Sequence, residues 1–431
     1  MNGIYKTKFD NLIVLLLSIL PISLAAGPAV IETIVFLIIL LFFSSKRSIK
    51  FGKSDIIIIL LYSYLIISSA LSDFKVHSLS SSFFLMRFIL LYLIFKYYFL
   101  SESKTKIIHL TLITLSFTFV ILIIDGFSQY FLNISIFGTE LLTQSRMIMH
   151  FRNGEYIMGS YLSKMIPIFF GLWYIRFNKL SLNLNFFLLI LSILTLLCMI
   201  LSNDRSATYL IIGFLFGLII LNNSKIYYKI TALSLICIII TLIVFLIPSV
   251  KNRYIDTTFK EIFGKNDAKI TKEIQILRGD EKTKKFLNFK INNKNIFIFS
   301  TAHEAHIKTA FNMFLHNPLI GIGPNNFRKL CSEKDYGIYE ERGCSTHPHH
   351  IMSQILAETG IIGFIFYITI IILIISKLFK QIFFPYLNFN LICMYSFYIL
   401  LLLPILPSGN IFNNWYIYSI ALPFLYLKFI K

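Results

Sequence analysis

Residues 344–363 read C-S-T-H-P-H-H-I-M-S-Q-I-L-A-E-T-G-I-I-G, and the organisation of the chain follows from them. Three histidines, His347, His349 and His350, lie where a long polar segment meets an apolar run. Apolar residues then recur at helical spacing, which predicts a membrane helix with the histidines at its outer mouth. Gln354 and Glu358 share one stripe of that helix. We expect both to face inward, because a carboxylate facing lipid would cost several kcal/mol.

The composition is that of a membrane protein. The 431 residues are 56% hydrophobic and 14% charged, and the mean hydropathy is +0.74. Soluble domains are less apolar. The net charge of +19 does not indicate a nucleic-acid partner, because much of the positive charge lies in short loops between apolar runs, where it sets membrane orientation. We therefore expect a polytopic protein embedded in membrane lipids.

Twelve apolar runs are long enough to cross a bilayer as helices, which takes about 17 to 25 residues. They are centred near residues 18, 36, 63, 89, 115, 167, 193, 214, 237, 363, 393 and 420. The predicted fold class is all-α, a bundle of about twelve transmembrane helices. Residues 1–248 would hold nine helices, residues 249–350 one large loop subdomain that contains helices, and residues 351–431 the last three.

Positive charge predicts the orientation of the bundle. With twelve spans both termini lie on one side, and the short segments there hold about 17 Lys and Arg against about four on the other side. The first group comprises Lys6, Lys8, Lys46, Arg47, Lys50, Lys53, Lys96, Lys104, Lys106, Arg176, Lys179, Lys225, Lys229, Lys377, Lys380, Lys428 and Lys431, and the second Lys75, Arg146, Arg152 and Arg205. The richer side is normally cytoplasmic. We expect cytoplasmic termini and a loop 249–350 that faces the periplasm or cell exterior.

The large loop has three predicted features. A helix should begin near His303 and end at the H-N-P sequence of residues 316–318. The Lys-rich portion, residues 265–294, should be more mobile. Cys331 and Cys344 are the two cysteines in polar sequence, and in an oxidising compartment they could form a disulfide next to the histidines; two free thiols are the alternative.

Three positive charges close to or within predicted spans suggest ligand contacts. Arg205, in L-S-N-D-R-S-A-T, lies at the outer junction of two helices, where its planar fork suits phosphate; a lipid-facing anchor or an ion pair with Asp204 is the alternative. Lys164 lies about two turns into a helix and Arg87 lies in mid-span. Each should face a polar cavity or pair with a carboxylate.

Two loops add candidate substrate contacts. Arg152 and Glu155 lie in the polar entry to the helix that carries Lys164. In the sequence H-N-P-L-I-G-I-G-P-N-N-F-R at residues 316–328, glycines impose a tight turn whose amides could hold an anion, with Arg328 adding charge. A turn that only returns the loop to the membrane surface explains the same pattern.

The histidines allow three kinds of chemistry. A neutral imidazole can take a proton from an attacking hydroxyl, which usually accelerates a reaction about 10² to 10⁴-fold. Structural hydrogen bonding is the second possibility. Metal binding is the third, and H-P-H-H argues against it, since it lacks the i, i+4 spacing of a helical ligand pair and Pro348 breaks regularity. The sequence therefore predicts no metal site.

The combined pattern resembles O-antigen ligases and the related O-antigen polymerases. The resemblance rests on H-H-x(9)-G-x-x-G at residues 349–363, P-L-I-G-I-G at 318–323, D-R-S at 204–206 and F-x-x-x-E-x-x-x-G-S-Y at 151–161. It extends to the order of twelve helices and the large loop between the ninth and tenth. Two departures stand out: His350 occupies a position that is usually Asn, and the loop arginine of ligases is absent, with His303 and His306 in that neighbourhood.

The resemblance implies a glycosyltransferase of the bacterial inner membrane that needs no metal or other cofactor. Its donor would be undecaprenyl-diphosphate-linked glycan, and its acceptor a sugar hydroxyl on lipid A-core in ligases or another lipid-linked repeat in polymerases. His349 matches the proposed base, and Arg205 the arginine thought to hold the diphosphate. Arg328 or Lys164 would assist Arg205.

The predicted reaction is displacement at the anomeric carbon. The protein would mainly neutralise the leaving diphosphate and orient and deprotonate the acceptor. Glu358, His347 or His350 would fix the tautomer of His349, and attack opposite the diphosphate would invert the anomeric configuration.

Other functions fit parts of the sequence. The complete histidine–glycine pattern slightly favours a ligase over a polymerase, and a protein side chain is a third possible acceptor. A transporter of lipid-linked sugars would also use many helices and intramembrane charges, but transporters commonly show two similar halves with sites near the midplane. A structural scaffold would have no use for Arg205 and His349.

Overall fold

The computed structural model describes residues 2–49, 51–141, 146–152, 154–263, 289–291, 294–296, 301–333, 336, 343–403 and 406–429. The helices before the large loop are α1 (Asn2–Ser18), α2 (Leu20–Ala26), α3 (Pro28–Ser44), α4 (Lys53–Ala70), α5 (Lys75–Phe84), α6 (Met86–Phe99), α7 (Lys104–Leu132), α8 (Met158–Arg176), α9 (Leu182–Leu201), α10 (Arg205–Leu221) and α11 (Ile226–Leu246). The region of the large loop holds α12 (Pro248–Lys251), α13 (Thr257–Phe263), α14 (Thr301–His316) and α15 (Phe327–Leu330). The helices after it are α16 (Ile351–Phe383), α17 (Phe389–Leu402) and α18 (Asn414–Lys428).

The fold is helical, as predicted, apart from one small hairpin. Strands β1 (Phe289–Ile291) and β2 (Lys294–Ile296) pair antiparallel. Short 3₁₀ turns at His150–Arg152 and Phe177–Lys179 and a π-helical turn at Asn252–Asp256 complete the described secondary structure.

Several helices have the length and composition of membrane spans. In the described ranges five pass, namely Lys75–Phe99, Lys104–Leu132, Leu182–Leu201, Ile226–Leu246 and Ile351–Phe383. The pair formed by α1 and α2, bent by 53°, makes a sixth if it counts as one span; Pro21 in the first turn of α2 accompanies the bend. Each of the twelve predicted centres lies in a helix, but four of these apolar helices have only 10–17 residues. The chain is a multi-pass membrane protein, and the count of twelve stays a prediction.

Helix α11 shows what faces lipid. Its sequence is apolar on all sides, yet none of its described residues is buried. An apolar helix of this kind is stable only in apolar surroundings. The lipid tails of a membrane would supply them.

Partly buried ion pairs connect the helices at one end of the bundle. Asp10 of α1 pairs with Arg47, and Asp55 of α4 pairs with Lys96 of α6. The hydroxyl of Tyr98 also donates to Asp10 across 2.7 Å. At the other end lie the α7–α8 connection, the start of α10, the loop carrying α14 and α15, and the starts of α16 and α18. We call this second end the site end.

Helix α16 is broken at the site end, which the periodicity did not predict. Gly360 adopts φ +62°, outside helical geometry. The amides of Ile322 and Gly323 donate to the carbonyls of Ala357 and Glu358, at 2.9 and 3.0 Å. Residues 318–323 thus supply backbone hydrogen bonds that the break removes from the helix. Buried carbonyl groups rarely lack a hydrogen-bond partner.

This arrangement corrects the prediction that the amides of the glycine turn hold an anion. Two of those amides are occupied by α16, so the turn serves the fold. The expected inward placement of Gln354 and Glu358 is confirmed, since their exposed fractions are 0% and 1%. Glu358 accepts bonds from the amide of Phe327 and from Gln354 Nε2, each at 3.0 Å. Both of its oxygens are engaged there, so it does not orient His349 as predicted.

The predicted loop helix is present as α14, Thr301–His316, and it packs along α16. This packing places His303 and His306 beside the histidines that precede α16. The portion 265–294, predicted to be more mobile, lies outside the described residues except for β1 and Lys294.

The contact between the turn and α16 can be tested with two glycines. In Gly321→Ala a Cβ would lie 2.5 Å from the backbone of Glu358 and Thr359, with φ at +72°. Gly138 also has a positive φ, +86°, but nothing lies within 4 Å of its Cβ position. Gly138→Ala should therefore cost only left-handed strain, about 1 to 2 kcal/mol. Gly321→Ala should cost a further 1 to 3 kcal/mol or so. Melting temperatures in detergent measure both, and equal losses would contradict the account.

Candidate active site

Four imidazoles form a cluster at the site end. The ring of His349 lies 4.0 Å from that of His347, 5.2 Å from that of His303 and 5.4 Å from that of His306, centre to centre. His303 and His306 lie three residues apart on one face of α14. The other two come from the turn before α16. Two separate elements therefore build the cluster.

The backbone of His349 is held in an uncommon conformation. Its φ is +55°, in the left-handed region that non-glycine residues seldom occupy. The amide of Ser408 donates to its carbonyl at 2.9 Å. The Nε2 of His347 donates to the carbonyl of Ser408 at 3.2 Å, which fixes the tautomer of His347. One residue of the α17–α18 connection thus holds both histidines in place.

The side chain of His349 has one nitrogen engaged and one open. Its Nε2 lies 3.1 Å from the Oγ of Ser345. Its Nδ1 has no hydrogen-bond partner among the described residues. If the Nε2 proton is donated to Ser345, Nδ1 is the lone-pair nitrogen that can accept a proton. Ser345, and not His350 or Glu358, is the residue in position to set this tautomer.

Burial favours the uncharged form of three rings of the cluster. Desolvation, helped by the neighbouring imidazoles, lowers the pKa of His349 to about 3. Desolvation also lowers the pKa of His347 to about 4, although its bond to Ser408 opposes the shift. Burial and His303 lower the pKa of His306 as well. These three rings are therefore neutral imidazoles near pH 7, the form that accepts a proton.

His350 has a structural task. Its Nδ1 accepts a bond from the amide of Ser353 at 3.3 Å, which caps the first turn of α16. The ring is buried, with 6% of its surface exposed. This geometry favours a helix cap over the predicted substrate contact.

Lys164 is a buried cation in a polar cavity. Only 4% of its surface is exposed, and its Nζ donates to the Oγ and the carbonyl oxygen of Ser160, at 2.6 and 3.1 Å. The ring of Tyr416 lies 5.2 Å from Nζ. The cavity has a volume of about 70 Å³ and is also lined by Asp204 and Ser408. Among the described residues no carboxylate lies within ion-pair distance of Nζ, so the lysine has charge to offer an anionic group.

Arg205 begins α10 beside this cavity, whose lining includes the adjacent residues Asp204 and Ser206. Its Nη1 donates to the hydroxyl of Thr258 at 3.0 Å. Asp204 instead caps α10 and lies 3.5 Å from Arg146. The guanidinium of Arg205 is half-buried at the site end, where the sequence predicted it.

The remaining predicted contacts differ in their surroundings. Arg87 is engaged by the protein, since its Nη2 donates to Glu32 at 2.8 Å and to Asn414 at 2.7 Å. Of the two alternatives for Arg87, a polar cavity or a carboxylate partner, the structure shows the carboxylate partner. This contact disfavours a role of Arg87 in ligand binding. Arg328 and Glu155 are exposed. The side chain of Arg152 lies outside the described part of the structure.

Cys331 and Cys344 are joined as a disulfide, with their Cα atoms 4.8 Å apart. The bond connects the end of α15 to the turn that carries the histidines. The Sγ of Cys331 also lies 3.8 Å from the carbonyl oxygen of Ser345, one residue beyond Cys344. The covalent link thus supports the residue that contacts His349.

Across the described ranges no group of three His, Cys, Asp or Glu side chains is arranged to hold an ion. The imidazole rings of the cluster lie next to one another.

The parts of the site that depend on tertiary contacts have little or no signal in the sequence. Ser345 and Ser408 carry no pattern that marks them. His303 and His306 carry a weak one, because their spacing of three puts both on one helix face.

The fold and the site define a multi-pass membrane protein with a neutral imidazole and a buried cation at one end of its helices. The family model described as O-Antigen ligase matches residues 190–368, from α9 into α16. The matched segment covers less than half of the chain, and over that segment the match confirms the predicted resemblance to the O-antigen ligases. No curated protein matches the chain. Arg205, Arg328 and all the histidines of the cluster lie inside the matched segment, whereas Lys164 lies before it.

The lowered pKa values predict an acid-sensitive fold. In the unfolded chain the histidines regain an ordinary pKa of 6.5. Between that value and the lowered ones the unfolded chain binds more protons, so stability falls as pH falls and is level above about 6.5. The wild-type melting temperature should drop between about pH 7 and about pH 5. A His347→Gln, His349→Gln double variant should show a smaller drop, and an unchanged drop would contradict the assignment.

The disulfide gives a second prediction. A bond that closes a loop of this length typically contributes about 3 kcal/mol. Adding a phosphine reductant should lower the wild-type melting temperature and leave a Cys331→Ser, Cys344→Ser variant unaffected. Cys237→Ser, at an exposed free thiol, serves as the control and should respond to reductant as the wild type does. A reductant effect that persists in the double variant would refute this role.

Proposed function

We propose that the protein is an O-antigen ligase-type glycosyltransferase. It moves glycan from undecaprenyl diphosphate to a hydroxyl acceptor on lipid A-core, at the periplasmic face of the inner membrane. In this proposal both termini are cytoplasmic, so that the site end faces the periplasm. The family match supports glycan transfer in general.

One observation carries the proposal. Ser408 lines the cavity that contains Lys164, and its backbone bonds to both His347 and His349. Lys164 and the histidines therefore both lie next to the α17–α18 connection. A leaving diphosphate and an attacking hydroxyl need these two environments next to each other.

The diphosphate would occupy the cavity beside Lys164. Its negative charge would compensate a cation whose described direct partners are a hydroxyl, a carbonyl and an aromatic ring, with the carboxylate of Asp204 in the cavity wall but beyond ion-pair distance. Arg205, at the rim, supplies a second positive charge with a planar donor set that fits phosphate oxygens. Arg328 is a further exposed cation near the histidines, and it contributes to the low pKa of His347 after burial.

His349 would accept the proton through Nδ1. The acceptor oxygen forms a bond to the anomeric carbon as the bond from that carbon to the diphosphate oxygen breaks. The acceptor proton passes to the imidazole, and the diphosphate leaves as an anion held by the two cations. A bound diphosphate raises the pKa of a nearby imidazole, so the donor itself would make His349 a better base.

Metal is not required in this scheme, because Lys164 and Arg205 take the leaving charge. Attack from the face opposite the diphosphate inverts the anomeric configuration. The polymerase reaction would use the same residues with a lipid-linked repeat as acceptor.

A transfer assay tests the proposal with detergent-purified protein and undecaprenyl-diphosphate glycan. One reaction receives lipid A-core and another no added acceptor. His349→Ala should reduce transfer about 10² to 10⁴-fold, the range of a lost general base. Lys164→Met should reduce it about 10²-fold, the effect of losing one charge-stabilising donor. Lys179→Met removes an exposed lysine beyond the end of α8 and should leave transfer unchanged.

The acceptor decides between reactions. Product on lipid A-core supports the ligase, whereas longer lipid-linked glycan without added acceptor shows a polymerase. Donor binding without transfer in either reaction would refute both and favour a transporter. Full activity in His349→Ala would remove the base from the scheme.

A further inference from the structure

A second cavity lies at the site end, away from the histidines. It has a volume of about 330 Å³ and lies between the C-terminal ends of α7 and α9 and the segment that carries Arg146. Volumes of about 300 to 1,000 Å³ are typical of small-molecule sites. Its polar lining comprises Gln129, Tyr130, Asn133, Arg146, Asn203 and Ser249.

Asn203 indicates that this cavity takes a polar ligand. The residue is 5% exposed, and its Oδ1 has no hydrogen-bond partner among the described residues. A buried acceptor without a partner destabilises the folded protein. Its backbone is held at φ +57°, which asparagine tolerates better than most residues. Because Asn203 lines the cavity, its polar side chain is a suitable partner for the hydroxyl or amide groups of a ligand.

Other groups in the wall are also available. The side chains of Asn133 and Ser249 make no hydrogen bond within the described residues. Tyr130 adds an aromatic ring, half-buried at the cavity wall. By contrast, the amide of Gln129 is fully used, since it bonds to Asp125 and to both backbone groups of Ile148.

Charge argues against phosphate in this cavity. Arg146 is the only cation in its described lining, and its Nη2 lies 3.5 Å from the carboxylate of Asp204. The same nitrogen donates to the carbonyl of Tyr156 at 3.1 Å. The positive charge is thus balanced, unlike that of Lys164. Neutral amides, a hydroxyl and an aromatic ring suit an uncharged ligand with many hydroxyl groups.

We propose that this cavity binds a sugar unit. Asp204 lies between the two cavities: it lines the one that holds Lys164, and it pairs with Arg146 of the other. A sugar bound here would be next to the group that carries the diphosphate. The inference rests on the proposed function for the source of the sugar, either the donor glycan or the acceptor.

Direct binding tests the site independently of transfer. Saturation-transfer NMR with the full-length protein in detergent would use methyl glucoside, methyl galactoside and N-acetylglucosamine as probes. Asn203→Gly keeps the left-handed backbone without strain and removes the amide. It should weaken binding roughly two- to tenfold, the effect of one lost hydrogen bond. Asn133→Gly should weaken it similarly. Asn222→Gly, at the exposed far end of α10, should bind as the wild type does.

Each outcome of these measurements either supports or overturns the proposed sugar site. Wild-type protein that is folded yet binds none of the sugars overturns the proposal, as does Asn203→Gly protein that binds them normally. Displacement of the sugars by inorganic phosphate overturns the assignment of a neutral ligand. Sugar binding that depends on Asn203 supports the site even if no transfer is seen. Failure of the proposed sugar site can therefore be distinguished from failure of the proposed transferase function. In the transfer assay, a raised KM of Asn203→Gly for the donor shows that the bound sugar belongs to the donor glycan. A raised KM for the acceptor shows that it belongs to the acceptor.

Discussion

The site depends on a backbone exchange between the loop and α16. The helix breaks at Gly360, and amides of Ile322 and Gly323 bond to carbonyls next to the break. Unpaired carbonyls in an apolar bundle cost several kcal/mol, so the loop and the helix must fold together. This requirement fixes α14 and the disulfide-linked turn over the start of α16, where the histidines meet.

Electrostatics divides the bundle into two different ends. At one end carboxylates pair with Arg47 and Lys96, and these charges stabilise the fold. At the site end Lys164 is buried without a carboxylate at ion-pair distance among the described residues, and the nearby imidazoles are neutral. Unpaired buried charge is costly. Proteins keep it where a ligand supplies the counter-charge, and in the proposed function a diphosphate supplies it at this site.

Local pattern predicted the helices, the inward stripe of Gln354 and Glu358, and the loop helix, because each follows from periodicity and chain punctuation. It did not predict the break at Gly360, since the flanking residues keep helical spacing through it. It also misjudged the glycine turn, because the partner of its amides is distant in sequence. The roles of Ser345 and Ser408 and the Glu32 partner of Arg87 depend on tertiary placement in the same way. The chemical character of a residue could be predicted from its type, but its hydrogen-bond and ion-pair partners in the folded protein could not.

The most direct test is an electron cryo-microscopy structure of the protein with undecaprenyl diphosphate bound. The account predicts the diphosphate in the cavity beside Lys164, with its oxygens about 3 Å from the lysine and from Arg205. His349 should face the position of the departed sugar with Nδ1. A diphosphate bound elsewhere, with Lys164 still bonded only to Ser160, would contradict it.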